Sequence, residues 1–232
     1  MNLFYQPDID PNNTCLDTEE SRHAIKVLRK KAGDLITIID GNGTFIEAEI
    51  VDPNPKKCSV KILTTTKEET KDHYIHIALA PTKSIDRTEW FIEKAVEIGI
   101  DEISLILTKN SERTVVKTDR LFKKAVSAMK QSLKASLPQI NEVVKYSAFI
   151  DNVKDDEKYI AYVDFSNPEQ LFKVARPKSN YCILIGPEGD FTETELNQAI
   201  DSGFKKVGLG KSRLRTETAA MVACHILNLI NE

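Results

Sequence analysis

The sequence predicts an α/β fold, with a mostly parallel sheet and helices on both of its faces, preceded by a part made mainly of strands. Residues 1–66 show short apolar and alternating runs separated by turn residues, the pattern of strands. Residues 64–73, TTTKEETKDH, have almost no apolar content and are predicted to form a linker. From residue 75 onward strand patterns alternate with helical ones, the order that builds a parallel sheet.

The N-terminal part is predicted to contain a short helix at about 18–30 and a hairpin after it. The runs LITII at 35–39 and FIEAEI at 45–50 flank the turn sequence DGNG at 40–43, which suits residues with positive φ. In the second run isoleucine and alanine alternate with glutamate. One face of this strand is therefore expected to be buried and the other solvated.

The second part begins with the strand IHIALA at 75–80. Asp86 is predicted to cap the following helix, with Glu89 three residues on, and ISLIL at 103–107 is the next strand. The apolar face of that helix is Phe91, Ile92, Ala95 and Ile98. The later elements are a helix from Asp119 to Leu137-Pro138, a strand at 159–163, a short helix near 168–175, a strand at 181–185, a helix at 193–202 stopped by Gly203, a strand at 207–210, and a helix from Thr216 to about 231.

The helix from Asp119 is amphipathic and basic. Its predicted buried face is Leu121, Phe122, Ala125, Met129 and Leu133, and its opposite face is Arg120, Lys123, Lys124, Lys130 and Lys134. Two other windows are also basic. Residues 22–31 and 205–215 each hold five Lys or Arg and no acid, although the whole chain has a net charge of −3. These windows indicate either a localised polyanion site or a set of solvated faces.

Two strand-to-helix junctions are the most informative features. Glycines at 186 and 189 and a proline at 187 follow one strand, and Thr192 with Glu195 then has the spacing of a capping box. A basic loop joins the next strand to the helix at Thr216. Both loops are expected at one edge of the sheet, where open α/β sheets bind ligands. The first loop is neither GxGxxG nor a P-loop, and a plain strand-to-helix turn is the alternative interpretation.

The cysteines and the apolar runs indicate the cellular compartment of the protein. Cys15, Cys58, Cys182 and Cys224 are scattered, with no CxxC pair and no histidine at metal-ligand spacing, which favours free thiols in a reducing cytoplasm. No apolar run approaches the roughly 20 residues that cross a bilayer. The N-terminus lacks the features of a signal peptide. We therefore expect a cytoplasmic protein with no membrane span.

Two segments carry a family resemblance: IGPEGDFTETEL at 185–196 and LGKSRLRTETAA at 209–220. They resemble the last two motifs of the SPOUT-class methyltransferases. More narrowly, they resemble the ribosomal RNA small subunit methyltransferase E family, which methylates N3 of a uridine in small-subunit rRNA. Further matches are His23, Val27-Leu28-Arg29, Gly33-Asp34, Asp40-Gly41-Asn42-Gly43, Lys83, Arg87, Trp90, Lys94, Glu97, Gly99 and Ser111-Glu112-Arg113.

The resemblance implies a PUA-like RNA-binding barrel at 1–70 and a SPOUT methyltransferase domain at 74–232, whose parallel sheet contains a trefoil knot. It implies S-adenosylmethionine as cofactor, no metal, a homodimer, and small-subunit (16S) ribosomal RNA as substrate. The implied cofactor-binding residues are Leu184, Ile185, Gly186, Pro187, Glu188, Gly189, Leu209, Gly210, Leu214 and Thr216. The implied RNA-binding residues are His23, Arg29, Arg113, Lys123, Lys124 and Lys134.

For catalysis, Arg215 suits stabilisation of negative charge on the uracil carbonyls. Glu188 and Glu217 are candidate bases, with a structural cap or a loop-bracing role as the alternative for each. The family often has Gly where this chain has Asp190, and Arg at the places of Lys134 and Ser136. The substitutions on the basic helix leave open an RNA-binding module whose cofactor site is inactive. The loop at 186–189 leaves open a phosphate-handling enzyme.

Overall fold

The chain folds into two units, which the computed structural model describes for residues 2–163 and 169–232. The first unit comprises Met1–Thr70 and Val126–Leu137, and the second comprises Lys71–Ala125 and Pro138–Glu232. None of the described helices is long and apolar enough to cross a membrane.

The first unit is built on a four-stranded sheet. Its elements are β1 (Leu3–Tyr5), α1 (Thr18–Arg22) with a π-helical turn at His23–Val27, β2 (Leu35–Ile39), β3 (Thr44–Asp52) and β4 (Ser59–Lys67). The strand order is β1-β2-β3-β4, with β1 parallel to β2 and the other pairs antiparallel. The predicted hairpin is confirmed: Gly41 and Gly43 have φ of +82° and +79°, and Asp40 accepts hydrogen bonds from the turn.

The prediction of a linker at 64–73 is wrong for its first residues. β4 continues through Thr64 to Lys67, and Lys67 pairs with Thr44 of β3. A strand pair is held by backbone hydrogen bonds, which do not require apolar side chains, and threonine is well suited to a strand. Low apolar content therefore marked an exposed strand end and not a break in structure.

The second unit contains a parallel sheet, as the alternation of strands and helices predicted. Its elements are β5 (Tyr74–Leu79), α2 (Ile85–Ile98), β6 (Glu102–Leu107), α3 (Thr118–Gln131, which continues into the first unit), β7 (Gln139–Ile140), β8 (Val144–Lys145), α4 (Tyr146–Ile150), β9 (Glu157–Ala161), α5 (Leu171–Val174), β10 (Asn180–Ile185), α6 (Glu193–Asp201), β11 (Lys205–Val207) and α7 (Thr216–Leu229). The strand order is β11-β9-β10-β5-β6-β7, every pair is parallel, and β8 also pairs with β6.

Two details of the helices α2 and α3 differ from the prediction. The N-cap of α2 is Ser84, whereas Asp86 lies in the first turn and accepts a hydrogen bond from Arg120. Phe122 and Leu133, expected to be buried, are 41% and 49% exposed. Because α3 ends at Gln131, Leu133 falls outside the helical repeat and has a φ of +58°.

The last third of the chain follows the prediction closely. Thr192 and Glu195 form the expected capping box at the start of α6, and Gly203, with a φ of +87°, lies just beyond its end. The strand expected at 207–210 instead spans Lys205–Val207. The short helix expected near 168–175 corresponds to Leu171–Val174, while its first residue, 168, lies outside the described residues.

Candidate functional site

A cavity of about 440 Å³ lies where three neighbouring parallel strands end. Ala161 ends β9, Ile185 ends β10 and Val207 ends β11, and all three line the cavity. Its other lining residues are Tyr162, Val163, Gly186, Pro187, Glu188, Asp190, Leu209, Arg213, Leu214, Arg215, Thr216 and Ala219. The two loops singled out from the sequence therefore meet at one edge of the sheet, as predicted.

The loop after β10 is held from outside the cavity. The Asn110 side chain donates hydrogen bonds to the carbonyls of Gly189 and Asp190, at 3.1 and 3.0 Å. Asp190 has a φ of +58°, and its carboxylate accepts a hydrogen bond from the Phe191 amide. Burial raises the pKa of this carboxyl group, against a smaller lowering by hydrogen bonds and by Arg213.

A side chain at position 186 would make tight contacts. A Cβ atom at Gly186 would lie 3.1 Å from the Phe191 ring and 3.2 Å from an Asp190 carboxylate oxygen. Phe191 is buried and packs against the ring of Tyr146. A side chain at this position would therefore require Phe191 or the loop to shift by a few tenths of an ångström.

The start of α7 forms part of the cavity wall. Thr216 Oγ1 donates a 3.0 Å hydrogen bond to the carbonyl of Gly186, which ties the helix to the first loop. Arg215 is the N-cap residue, its side chain makes no capping hydrogen bond, and it is exposed. The first amides of α7 lack intrahelical partners, so this end of the helix suits negative charge.

The structure places eight of the predicted cofactor and catalytic residues on the cavity wall. These residues are Ile185, Gly186, Pro187, Glu188, Leu209, Leu214, Arg215 and Thr216. The remaining four lie off the wall: Leu184 is buried in β10, Gly189 faces Asn110, the Gly210 amide donates to Gln170, and Glu217 is buried in the first turn of α7.

Glu217 is a buried carboxylate with an incomplete set of partners. Its Oε1 lies 3.8 Å from Arg87 Nε, and its Oε2 has no hydrogen-bond partner among the described residues. Glu188, the other candidate base, accepts a 3.1 Å hydrogen bond from the Lys83 amide. The hydrogen bond from Lys83 fits a bracing role for Glu188. Glu217 has a contact with Arg87 that fits a bracing role and an unpartnered oxygen that fits a base.

The wall also contains residues that sequence reasoning did not select. Ala161, Tyr162 and Val163 line the cavity from the end of β9. The strand pattern at 159–163 was visible in the sequence, but nothing local indicates that β9 lies between β10 and β11. Arg213 also lines the cavity. It belongs to the basic window 205–215, whose charge did not indicate which of its residues would face the cavity.

The predicted RNA-binding residues occupy varied environments. His23 lies against Phe4 and 3.7 Å from a carboxylate oxygen of Glu20, while Arg29 is exposed with a φ of +55°. Arg113 donates hydrogen bonds to the carbonyls of Thr82 and Lys83. The others all lie on or just after α3: Lys123 is exposed, Lys124 pairs with Glu93, and Lys134 is half-buried.

The basic face of α3 is smaller than its sequence indicated. Arg120 pairs with Asp86 and Glu89, and Lys130 pairs with Glu20. With Lys124 also paired, these cations are partly neutralised within the protein. Counting charges along the chain could not reveal the acidic partners, which come from distant positions.

Two family models match the chain. An RNA methyltransferase domain matches residues 68–228, and an RNA methyltransferase PUA domain matches residues 16–63. Together they match most of the chain.

Named relatives agree with these models. The chain is 30% identical to a ribosomal RNA small subunit methyltransferase E from Mesomycoplasma hyopneumoniae, over 85% of this chain and 86% of that protein. It is similar to the crystal structure of a probable rRNA-methyltransferase from Porphyromonas gingivalis, with 41% identity, a TM-score of 0.92, and coverage of 100% and 98% of the two chains. A ribosomal RNA small subunit methyltransferase E from Neisseria gonorrhoeae bound to S-adenosyl methionine matches with 27% identity and a TM-score of 0.87, over 100% and 98%.

Proposed function

Because the chain belongs to the ribosomal RNA small subunit methyltransferase E family, we propose that it transfers the methyl group of S-adenosylmethionine to N3 of a uridine in small-subunit (16S) rRNA. The observation that carries this proposal is the meeting of the loops after β10 and β11 in one cavity. These loops hold the two segments that resemble the family. The Neisseria relative bound to S-adenosyl methionine supports the choice of cofactor.

The cavity fits such a cofactor in size and character. Its volume lies within the roughly 300–1,000 Å³ of small-molecule sites, and its wall combines apolar side chains with loop backbone. Gly186 leaves room for Phe191 beneath the first loop, and the Thr216 hydroxyl ties the second loop to it. We assign cofactor contacts to Leu184, Ile185, Gly186, Pro187, Glu188, Gly189, Leu209, Gly210, Leu214 and Thr216.

The chemistry asks the protein mainly for orientation and charge stabilisation. S-adenosylmethionine supplies a methyl group that is already activated by a sulfonium. The chain must hold the uracil in line with that methyl group and stabilise negative charge on the uracil oxygens as N3 loses its proton. Arg215 and the first amides of α7 suit this stabilisation. Glu217 is the proposed base: one of its oxygens has no partner among the described residues, and it follows Thr216, a residue of the cavity wall, in the first turn of α7.

Family membership supports several further proposals. We propose a division into domains at 1–70 and 74–232, which family models matching residues 16–63 and 68–228 support. We propose that the first domain is a PUA-like barrel, that the second contains a trefoil knot, and that the enzyme is a cytoplasmic homodimer whose reaction needs no metal. His23, Arg29, Arg113, Lys123, Lys124 and Lys134 are the proposed RNA contacts.

The test is a mass map of small-subunit rRNA from cells with and without this protein. We expect one uridine to lose a methyl group in the deletion strain and to regain it when purified protein and S-adenosylmethionine are added to the isolated subunits. Calorimetry with S-adenosylmethionine and with ATP separates the alternatives, since a phosphate-handling enzyme would bind ATP. An unchanged rRNA mass map would reject the proposed function.

A further inference from the structure

A second cavity lies at the opposite edge of the same parallel sheet. Its volume is about 770 Å³, and it is lined by the first residues of three strands: Tyr74 of β5, Glu102 of β6 and Asn180 of β10. The cofactor cavity lies at the other end of β10, beyond Ile185. The second cavity is therefore a separate site, which the proposed methyl transfer does not use.

Strand register brings three chemically active side chains together at this edge. Cys182 of β10 pairs with His76 of β5, and His76 pairs with Glu102 of β6. Paired residues on adjacent parallel strands project from the same face of the sheet. Asp155 joins them from the segment before β9: ligand atoms of His76, Asp155 and Cys182 all lie within 4.8 Å of one another.

The imidazole of His76 is buried and held in one orientation. Its Nε2 lies 2.8 Å from the Ser104 hydroxyl and 3.6 Å from a carboxylate oxygen of Glu102, and the edge of Phe149 packs against the ring. Its other nitrogen, Nδ1, lies 3.8 Å from Asp155 Oδ2 and would be the metal-binding atom.

The two carboxylates of the cluster are largely buried, and Lys154 lines the same cavity. The side chains of Asp155 and Glu102 are only 15% and 18% exposed. Glu102 accepts hydrogen bonds from Tyr74 and Asn141, whereas no side-chain hydrogen bond reaches Asp155 within the described part of the chain. In that same part, neither carboxylate has a Lys or Arg ion-pair partner, and buried charges are normally paired or bound to a metal.

We propose that His76, Asp155 and Cys182 bind one divalent transition metal ion, with zinc the best match to an imidazole, a carboxylate and a thiolate. Ligands of a tetrahedral zinc are separated by about 3.3 to 3.7 Å, given zinc–ligand distances of about 2.0–2.3 Å. The distance of 3.8 Å between Nδ1 and Oδ2 is close to this spacing. Metal binding forms the zinc–sulfur bond as the thiol releases its proton to solvent.

The site has the supporting contacts of a metal centre and an open side. Ser104 and Glu102 hold the far nitrogen of His76, as outer partners do for metal-bound histidines. His76 and Asp155 line the cavity, so a fourth position on that side of the ion would be open to water. The ion would join β5, β10 and the segment before β9.

The test is a titration of metal-free, full-length protein with Zn²⁺ in competition with a chromophoric chelator. We expect one zinc per chain and a rise in the melting temperature with zinc. Asp155→Asn should weaken binding by more than about tenfold, since loss of an outer partner alone costs about 10- to 100-fold. Asp156→Asn, the matched change at the exposed neighbouring residue, should bind zinc like the unmodified protein.

Cobalt identifies the sulfur ligand without relying on activity. The Co²⁺ form should show a thiolate charge-transfer absorption that disappears in Cys182→Ala and remains in Cys224→Ala, another buried thiol of this unit. Failure to bind zinc with one-to-one stoichiometry would overturn the proposal, and so would equal affinity of the Asp155 and Asp156 variants. A cobalt form without a thiolate band would also overturn it.

Discussion

Replacing Gly186 by valine tests whether the loop after β10 forms the cofactor site. The new Cβ would lie 3.1 Å from the Phe191 ring, a contact tight enough that one of the two must move. Phe191 is 3% exposed and packs on Tyr146, so the loop is the part expected to shift. Overpacking of this kind costs about 1–3 kcal/mol. If the cofactor binds only to the unshifted loop, binding must supply this free energy. The affinity for the cofactor then falls by about 5- to 150-fold.

The assay is calorimetry with S-adenosylmethionine, accompanied by a melting curve that verifies folding. Gly189→Val adds the same side chain to the same loop, where its Cβ would lie 3.3 Å from the Cβ of Asn110. Because Gly189 is also a proposed cofactor contact, we expect both variants to lose affinity. An unchanged affinity in a folded Gly186→Val protein would refute the reasoning.

Three further predictions concern catalysis, RNA binding and stability. Arg215→Ala should lower single-turnover methyl transfer by about a hundredfold or more at unchanged cofactor affinity, the effect of losing one charge-stabilising donor. Lys123→Glu should flatten the dependence of log K for RNA on log salt by about 0.7 or more, if this exposed lysine contacts a phosphate. Although burial acts to raise the pKa of Glu157, hydrogen bonds from Tyr159 and Arg176 lower it. The stability from ionised Glu157 is therefore present above its ordinary pKa of about 4.5 and lost as the pH falls through the lower folded value.

Each of these predictions has a matched comparison. For Arg215→Ala the control is Lys211→Ala, which removes a charge from the same loop but off the cavity wall. Normal methyl transfer in Arg215→Ala would exclude Arg215 from the mechanism. Lys173→Glu makes the same charge change as the α3 variant on α5, and equal salt slopes in both would contradict an RNA contact on α3. Chemical denaturation between about pH 3 and 6 should show a smaller loss of stability in Glu157→Gln.

Ion pairs make the other basic residues of α3 less suitable than Lys123 for the salt experiment. Lys124 and Arg120 already pair with carboxylates of α2. An RNA phosphate would have to compete with those carboxylates, whereas Lys123 is exposed and has no ion pair among the described residues. Lys123 is therefore the sharpest probe of an RNA contact on this helix.

Sequence alone determined the features that depend on neighbouring residues. The hairpin at 40–43 follows from glycines that accept positive φ, and the start of α6 follows from the capping box of Thr192 and Glu195. The alternation of strands and helices from residue 75 predicted the parallel sheet. The loops after β10 and β11 were identified because each follows an apolar run that ends in turn residues.

Only the tertiary structure decided which distant residues meet. The order β11-β9-β10 places Ala161 in the wall of the proposed cofactor cavity, and the register of β5 with β10 sets His76 beside Cys182. Pairing with β3 turned residues of an expected linker into the end of β4. The physical reason is the same in each case: local patterns fix backbone conformation, while strand register is set by backbone hydrogen bonds and packing between segments far apart in the chain.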